Sequence, residues 1–186
     1  KEVALSAAKT YDGGKTLTGS QLAIATGVGT ETLNYTSATI NSKDVKDNST
    51  NFVDAVALTD GTGKASNYKF TAARSASNTV ALSKANLTLT ANSDTSKVYN
   101  GAEQSVSGFT ITSGSLKGTD SAAVDLASIT AGAKRTDAGT TAATVNDTAY
   151  TNGNYAITKV DGSLVVAQKE VALSAAKTYD GGKTLT

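Results

Sequence analysis

An all-β chain is predicted by three observations. Apolar residues recur at every second position in short runs, and those runs end at Gly, Asn or Asp. About a quarter of the residues are Ser or Thr, with 17 Gly and no Pro. Alternation of period two marks a strand with one buried face. Thr and Val suit the pleated surface, while Gly, Asn and Asp serve the corners. The predicted form is a pair of small β-sandwich-like modules, Greek-key or Ig-like, set end to end as a rod; a β-grasp-like module with one short helix is the alternative.

The division into modules comes from self-similarity. Residues 1–18 recur without a change as 169–186, an offset of 168 residues. Such a recurrence is the mark of a tandem array, so the chain is expected to hold one repeat unit and the opening of the next. A weaker echo lies inside the unit. Val3-Ala4-Leu5-Ser6 precedes Tyr11-Asp12-Gly13 as Leu87-Thr88-Leu89-Thr90 precedes Tyr99-Asn100-Gly101. Asn67-Tyr68-Lys69-Phe70 leads to Thr79-Val80-Ala81-Leu82 as Asn154-Tyr155-Ala156-Ile157 leads to Ser163-Leu164-Val165-Val166. The expected boundaries are 1–84, 85–168 and a truncated module start at 169–186. A module of this length buries only roughly 60–65% of its unfolded surface, so neighbours are expected to support one another.

Each predicted element follows from its own residues. Val3 and Leu5 face one way and Ala4 and Ser6 the other, giving the first strand; Tyr11 to Gly14 is its turn. Short extended pieces are expected at 16–18 and 22–25, then at Leu33, Tyr35 and Thr39-Ile40, with a polar loop or edge strand over 41–51. Residues 52–58 alternate again, Asp60 to Gly63 is a turn cluster, Asn67 to Phe70 begins a strand, and Val80 to Leu82 closes the module. Few residues separate it from Leu87 to Leu89, which predicts a stiff join. The second module repeats the plan: a turn at Asn100-Gly101, strands at 105–107 and 109–112, and a turn at 137–140 leading into 142–145. A loop at 150–154 precedes an Asp161-Gly162 hairpin signal and Leu164 to Val166. Helix competes with strand only over Ser121 to Ile129, where Asp120 is a candidate cap. Residues 169–186, with the Val171 and Leu173 strand, are expected to stay frayed, dock on the preceding module or pair with another molecule and, where ordered, to extend the last strand or exchange into a neighbour.

Composition excludes several functions. The chain has no Cys and no His, so disulfides, thiolate chemistry and the neutral-pH proton shuttle are missing from the sequence. Met and Trp are also lacking, leaving little for oxidants to attack. The formal net charge is +1 with scattered basic residues, which gives nucleic acid no stripe to follow. The longest apolar runs, such as Leu164 to Ala167, are too short to span a bilayer as a helix, so no membrane insertion is expected. No signal peptide is visible, and an internal fragment would carry none.

Candidate chemistry is sparse. Asp44, Asp47 and Asp54, or Asp120 and Asp125, supply oxygen ligands for Ca²⁺ but lack the spacing of a known loop, and solvated carboxylates are the plainer reading. A glycosidase needs two facing carboxylates, which no spacing announces. Asn34, Asn48, Asn86 and Asn146 open Asn-x-Ser/Thr sequons, a frequent chance match in a hydroxyl-rich chain. Tyr11, Tyr99 and Tyr179 recur beside turns and read as core anchors whose hydroxyls reach backbone, in preference to ligand contacts. A buried Lys–Asn crosslink with an acidic helper is a remote alternative. No catalytic, cofactor-binding or metal-ligating residue is assigned.

The Tyr-Asp-Gly opening, Gly-Thr-Gly-Lys-Ala-Ser-Asn-Tyr ending at Tyr68, Thr-Asp-Ala-Gly-Thr at 136–140, and the Asn-Tyr-Ala-Ile-Thr and Asp-Gly-Ser-Leu-Val-Val ending resemble the alternating YDG and MBG modules of large bacterial surface adhesins. Asn100 stands where many such modules have Asp. The resemblance implies a non-catalytic stalk in a secreted or surface-displayed adhesin of filamentous-haemagglutinin type, serving cell adhesion and biofilm. Its partners would be neighbouring repeats, with host or bacterial glycans as further candidates. The alternatives are a glycan- or matrix-binding module and, more remotely, an accessory domain of a carbohydrate-active enzyme.

Overall fold

The computed structural model describes residues 1–179 and 181–184. It is an all-β chain of four small sheets, two drawn from each half of the repeat unit. The first half contributes β1 (Ala4–Thr10), β2 (Thr16–Leu17), β3 (Leu22–Ala25), β4 (Leu33–Ile40), β5 (Val53–Asp60) and β6 (Asn78–Ser83). These form the sheets β3-β1-β6 and β2-β4-β5. β1 pairs antiparallel with β3 and parallel with β6, so the first and last strands of this half lie side by side. The expected alternation holds in β1: Val3, Leu5 and Ala7 are buried, while Ser6 and Ala8 are exposed. Their core is completed by Leu17, Ile40, Val53, Val80 and Leu82.

The second half contributes β7 (Ala85–Ala91), β8 (Asp94–Val98), β9 (Gln104–Ser107), β10 (Phe109–Ser113), α1 (Ala122–Asp125), β11 (Thr130–Arg135), β12 (Gly139–Asn146), β13 (Tyr155–Val160) and β14 (Gly162–Ala167). Its sheets are β10-β7-β13 and β8-β14-β12-β11-β9. The chain order repeats the first half. β7 has an antiparallel neighbour, β10, where β1 has β3, and β9-β11-β12 stand where β2-β4-β5 do. β14 runs parallel to β8 with Val98 opposite Ala167, as β6 runs parallel to β1 with Thr10 opposite Ser83.

The halves differ in how the last strand is covered. β14 sits between β8 and β12. Among the described residues β6 has no strand on its second side; Asn48 stands in for one there, and Asn78, at the start of β6, does the same for Val53 of β5. The Asn48 amide donates to the Leu82 carbonyl at 2.8 Å and its oxygen accepts the Leu82 N–H at 2.8 Å. The Asn78 side chain makes the same pair of bonds with Val53, at 3.0 and 2.8 Å. A side-chain amide thus presents one donor and one acceptor in the pattern of a strand, meeting the demand that buried backbone groups be paired.

Four local expectations are corrected. Asn67 to Phe70 does not begin a strand: Ala65–Asn67 is a 3-10 turn, Lys69 makes an isolated bridge with Glu2, and β6 starts at Asn78. Asp161-Gly162 is not a hairpin, because β13 and β14 belong to different sheets. Glycine is needed there for close approach, since a Cβ on Gly162 would stand 2.4 Å from the Ala91 carbonyl oxygen. α1 forms inside the stretch where helix competed, but Ser121, not Asp120, is its N-cap residue, and the Ser121 N–H donates to the Asp125 carboxylate at 2.7 Å. Finally, residues 168–179 and 181–184 form neither strand nor helix. They do not prolong β14, because the pairing partners of β14 on both sides end beside Val166 and Ala167. The expectations for Asp180, Leu185 and Thr186 lie outside the described residues.

Candidate functional site at the junction

The first turn of the chain is built by a lysine. Lys9, buried at the end of β1, donates to the carbonyls of Gly14 and Thr16 at 3.0 and 2.9 Å and pairs with Asp12 at 2.8 Å. The Asp12 carboxylate also accepts the Gly14 N–H at 2.9 Å. The same local sequence repeats the wrapping near the other end: Lys177 donates to the carbonyls of Gly182 and Thr184 at 3.0 and 2.7 Å. The turn is therefore encoded by its own residues, without a surrounding sheet.

This turn aims Tyr11 out of the first half and into the second. Its N–H is held by the Ser83 carbonyl at 2.8 Å, at the point where the chain leaves β6. Its ring is 2% exposed and belongs to the core of Leu87, Leu89, Ala143, Val145 and Tyr155. Tyr11 and Tyr155 meet edge to face, centroids 5.5 Å apart and planes at 81°. Burial of this order contributes about 1.5–3 kcal/mol for a large side chain, and an edge-to-face pair about 0.5–1.5 kcal/mol more.

Both phenols donate to one oxygen of Asp120, from Tyr11 at 2.8 Å and from Tyr155 at 2.6 Å. The Asp120 side chain is 6% exposed, and its other oxygen lies 3.6 Å from Lys43 Nζ. Lys43 also stands 5.9 Å from the centroid of the Tyr11 ring. Burial first, and then the bond to Asp120, push the phenols of Tyr11 and Tyr155 well above the ordinary phenol range. Both therefore stay protonated as donors, the form a buried carboxylate requires.

A second contact flanks the first. The Val45 N–H donates to the Asn154 side-chain oxygen at 2.9 Å, and the Asn154 amide donates to Asp44 at 2.9 Å. Asn154 is buried, and its own carbonyl accepts the Ala85 N–H at 3.0 Å. The loop between β4 and β5, read from sequence as a polar loop or edge, thus clasps the second half. Gly13 and Gly118 touch backbone to backbone: a Cβ on Gly13 would stand 2.8 Å from the Gly118 nitrogen.

The carboxylates suggested as calcium ligands are not brought together. Asp44 and Asp120 are used at the junction, while Asp47 accepts the Ser42 hydroxyl at 2.6 Å. Asp125 accepts Asn152 at 2.8 Å, and Asp54 is exposed on β5. Among the described residues no group of three or more acidic side chains is placed to hold a metal ion. Of the sequon asparagines, Asn34, Asn86 and Asn146 are exposed, whereas Asn48 is committed to Leu82. Tyr11 is a core anchor as expected, but its hydroxyl donates to the Asp120 carboxylate and not to backbone; Tyr99 and Tyr179, expected as anchors too, are exposed, at 39% and 94%. The sequence singles out Asp120 only as a calcium ligand or helix cap, and Lys43 and Asn154 for no role, because the contacts that use them join distant segments, 109 residues apart for Tyr11 with Asp120 and for Val45 with Asn154. The one available signal was the Gly-Thr-acidic triplet at 118–120, which repeats the one at 29–31. No protein-family model, no curated protein and no solved structure matches the chain.

Proposed function

We propose that this chain is a non-catalytic spacer: two β-modules, 1–84 and 85–168, joined stiffly end to end, with 169–186 opening a further module. In tandem such units form the stalk of a secreted or surface-displayed bacterial adhesin, as the likeness to YDG and MBG modules also suggests. One observation carries the reading. The turn of one module places Tyr11 inside the core of the next, where Asp120 and Tyr155 hold it. A linker that crosses in a single residue, Lys84, and a buried three-way hydrogen bond beside it leave little freedom for a hinge. The buried polar groups at this junction have structural partners, which favours extension over chemistry.

Small-angle X-ray scattering on the chain and on a Tyr11→Ala/Asp120→Ala variant tests this. The native chain is expected to scatter as one rigid, elongated body and the variant as two bodies moving independently. A native profile of two freely moving bodies, or of two modules lying side by side, would overturn the proposal.

A further inference from the structure

The junction device occurs twice in the unit, and only one copy is engaged. The Tyr99 N–H is held by the Ala167 carbonyl at 2.9 Å, as that of Tyr11 is held by Ser83. The Asn100 side chain accepts the Ala102 N–H at 2.9 Å, as Asp12 accepts that of Gly14. Gly101 has φ +84° and Gly13 has φ +81°. The surroundings differ. Gly13 abuts Gly118, whereas a Cβ on Gly101 would meet nothing within 4 Å. Tyr99 is left half out of the protein, over an open cleft that it shares with Ala138, Gln168 and Val171.

The receiving side is duplicated as well. Gly118-Thr119-Asp120 with Tyr155 corresponds to Gly29-Thr30-Glu31 with Tyr68. Gly118 and Gly29 take φ of +57° and +47°. Tyr68 donates to the Glu31 carboxylate as Tyr155 donates to Asp120. Even the entering chain is matched: the Lys1 nitrogen donates to the Asn67 carbonyl at 2.6 Å where Ala85 donates to that of Asn154. Glu31 and Gly29 are exposed, and a Cβ on Gly29 would meet nothing within 4 Å.

We infer that the face formed by Tyr99, Asn100 and Gly101 is a docking surface for residues 1–84 of a further copy of this unit, whose Glu31 and Tyr68 receive Tyr99 as Asp120 and Tyr155 receive Tyr11. The occupant is fixed by the sequence that follows. Residues 169–179 restate 1–11, and Gln168 separates them from β14 as Lys84 separates β7 from β6. A phenol without a hydrogen-bond partner among the described residues on one face and a carboxylate open to solvent on the other are complementary in chemistry. The inference rests on the spacer reading and extends it to the second joint.

The test is a chain in which residues 1–168 are given twice before 169–186, with Ala102→Ser in the first copy so that its tryptic peptide over 98–117 differs in mass, and Tyr179→Phe in the closing segment so that the peptide over 10–15 reports Tyr11 alone. Nitration by tetranitromethane is followed by mass spectrometry of each tyrosine. Tyr99 of the first copy is expected to react at least ~10-fold more slowly than Tyr99 of the second, as burial at a formed contact requires. Glu31→Lys in the second copy is expected to abolish that difference while Tyr11 stays protected. Equal reaction of the two Tyr99 residues, or protection that survives Glu31→Lys, overturns the inference and leaves the first junction standing. Reaction of Tyr11 at the rate of exposed Tyr99 overturns the spacer reading itself.

Discussion

Asp120 is the residue on which the junction turns, and Asp120→Ala is its sharpest perturbation. The carboxylate accepts two phenol hydrogens at 2.8 and 2.6 Å and faces Lys43 at 3.6 Å, with its side chain 6% exposed. Hydrogen bonds to a charged group contribute about 1.5–3 kcal/mol each. Two such bonds exceed the net loss, because removing the carboxylate also removes a desolvated charge and lets water reach the phenols. The expected cost is about 3–5 kcal/mol, the range for removing one member of a buried charged cluster. Tyr11→Phe alone keeps the ring in place and deletes one bond, for about 2 kcal/mol. Made together with Asp120→Ala, it has no acceptor left to lose and adds under about 0.5 kcal/mol, a coupling of about 1.5 kcal/mol. Urea unfolding followed by circular dichroism reads these differences; at an m-value near 2 kcal/mol/M, Tyr11→Phe lowers the midpoint by about 1 M. If Tyr11→Phe costs the same with and without Asp120, the phenols do not act through that carboxylate and the argument for the junction fails.

Glycine substitutions separate docking from backbone conformation. Gly13→Ala and Gly101→Ala both place a side chain at φ above +80°, at about 1–2 kcal/mol, but only Gly13→Ala collides with Gly118, so its urea midpoint is expected to fall further. Asn48→Ala strips both partners from Leu82 and is expected to cost about 2–4 kcal/mol in the same assay, while Asn34→Ala, on an exposed amide, stays within about 0.5 kcal/mol. Tyr11 and Tyr155 bind their protons more tightly when folded, so the stability they contribute is full below the ordinary phenol value of 10.0 and is lost as pH rises beyond it. Against the native chain, Tyr11→Phe is therefore expected to flatten the fall of unfolding free energy above pH 10 by up to about 1.4 kcal/mol per pH unit. In the two-copy chain, hydrogen exchange by mass spectrometry is expected to show slower exchange at Ala85 than at Lys1 of the second copy, and the reverse order would contradict the clasp formed by Asp44 and Val45.

The class of fold was legible because it is written locally. Val3, Leu5 and Ala7 alternate, Asp12-Gly13 turns, and a neighbouring lysine closes the turn, all within a dozen residues. Pairings that join distant segments left weaker marks. β6 is located by its apolar residues, yet nothing near it says that Asn48 stands in for the strand missing beside it. Asp120 was read as a helix cap because a carboxylate before Ser-Ala-Ala satisfies the local rule; two tyrosines at a distance of 109 and 35 residues outbid that rule. Asp161-Gly162 likewise carries hairpin chemistry, but the backbone of Ala91 and Asn92 lies against Gly162 and directs the chain into another sheet. Tyr11 reads from its place beside a turn as a core anchor, but nothing local says which core; the turn delivers it to the second half.

The two kinds of joint in such an array cannot be equally stiff. At the first, the long connection between β4 and β5 reaches across, so that Lys43, Asp44 and Val45 all grip the second half. The corresponding connection in the second half, between β11 and β12, spans only residues 136–138 and is folded onto its own strands by Arg135, which donates to the carbonyls of Asp137 and Ala138. It has no length left to form a clasp. Asn154, gripped by the clasp, is buried, whereas Asn67 at the matching place is exposed. Tyrosine insertion alone would then hold every second joint, and a stalk made this way alternates a clasped joint with one held by a single plug. Under tension or bending, such a stalk is expected to give first at the plugged joints, where one tyrosine leaves the neighbouring module while the clasped joints hold.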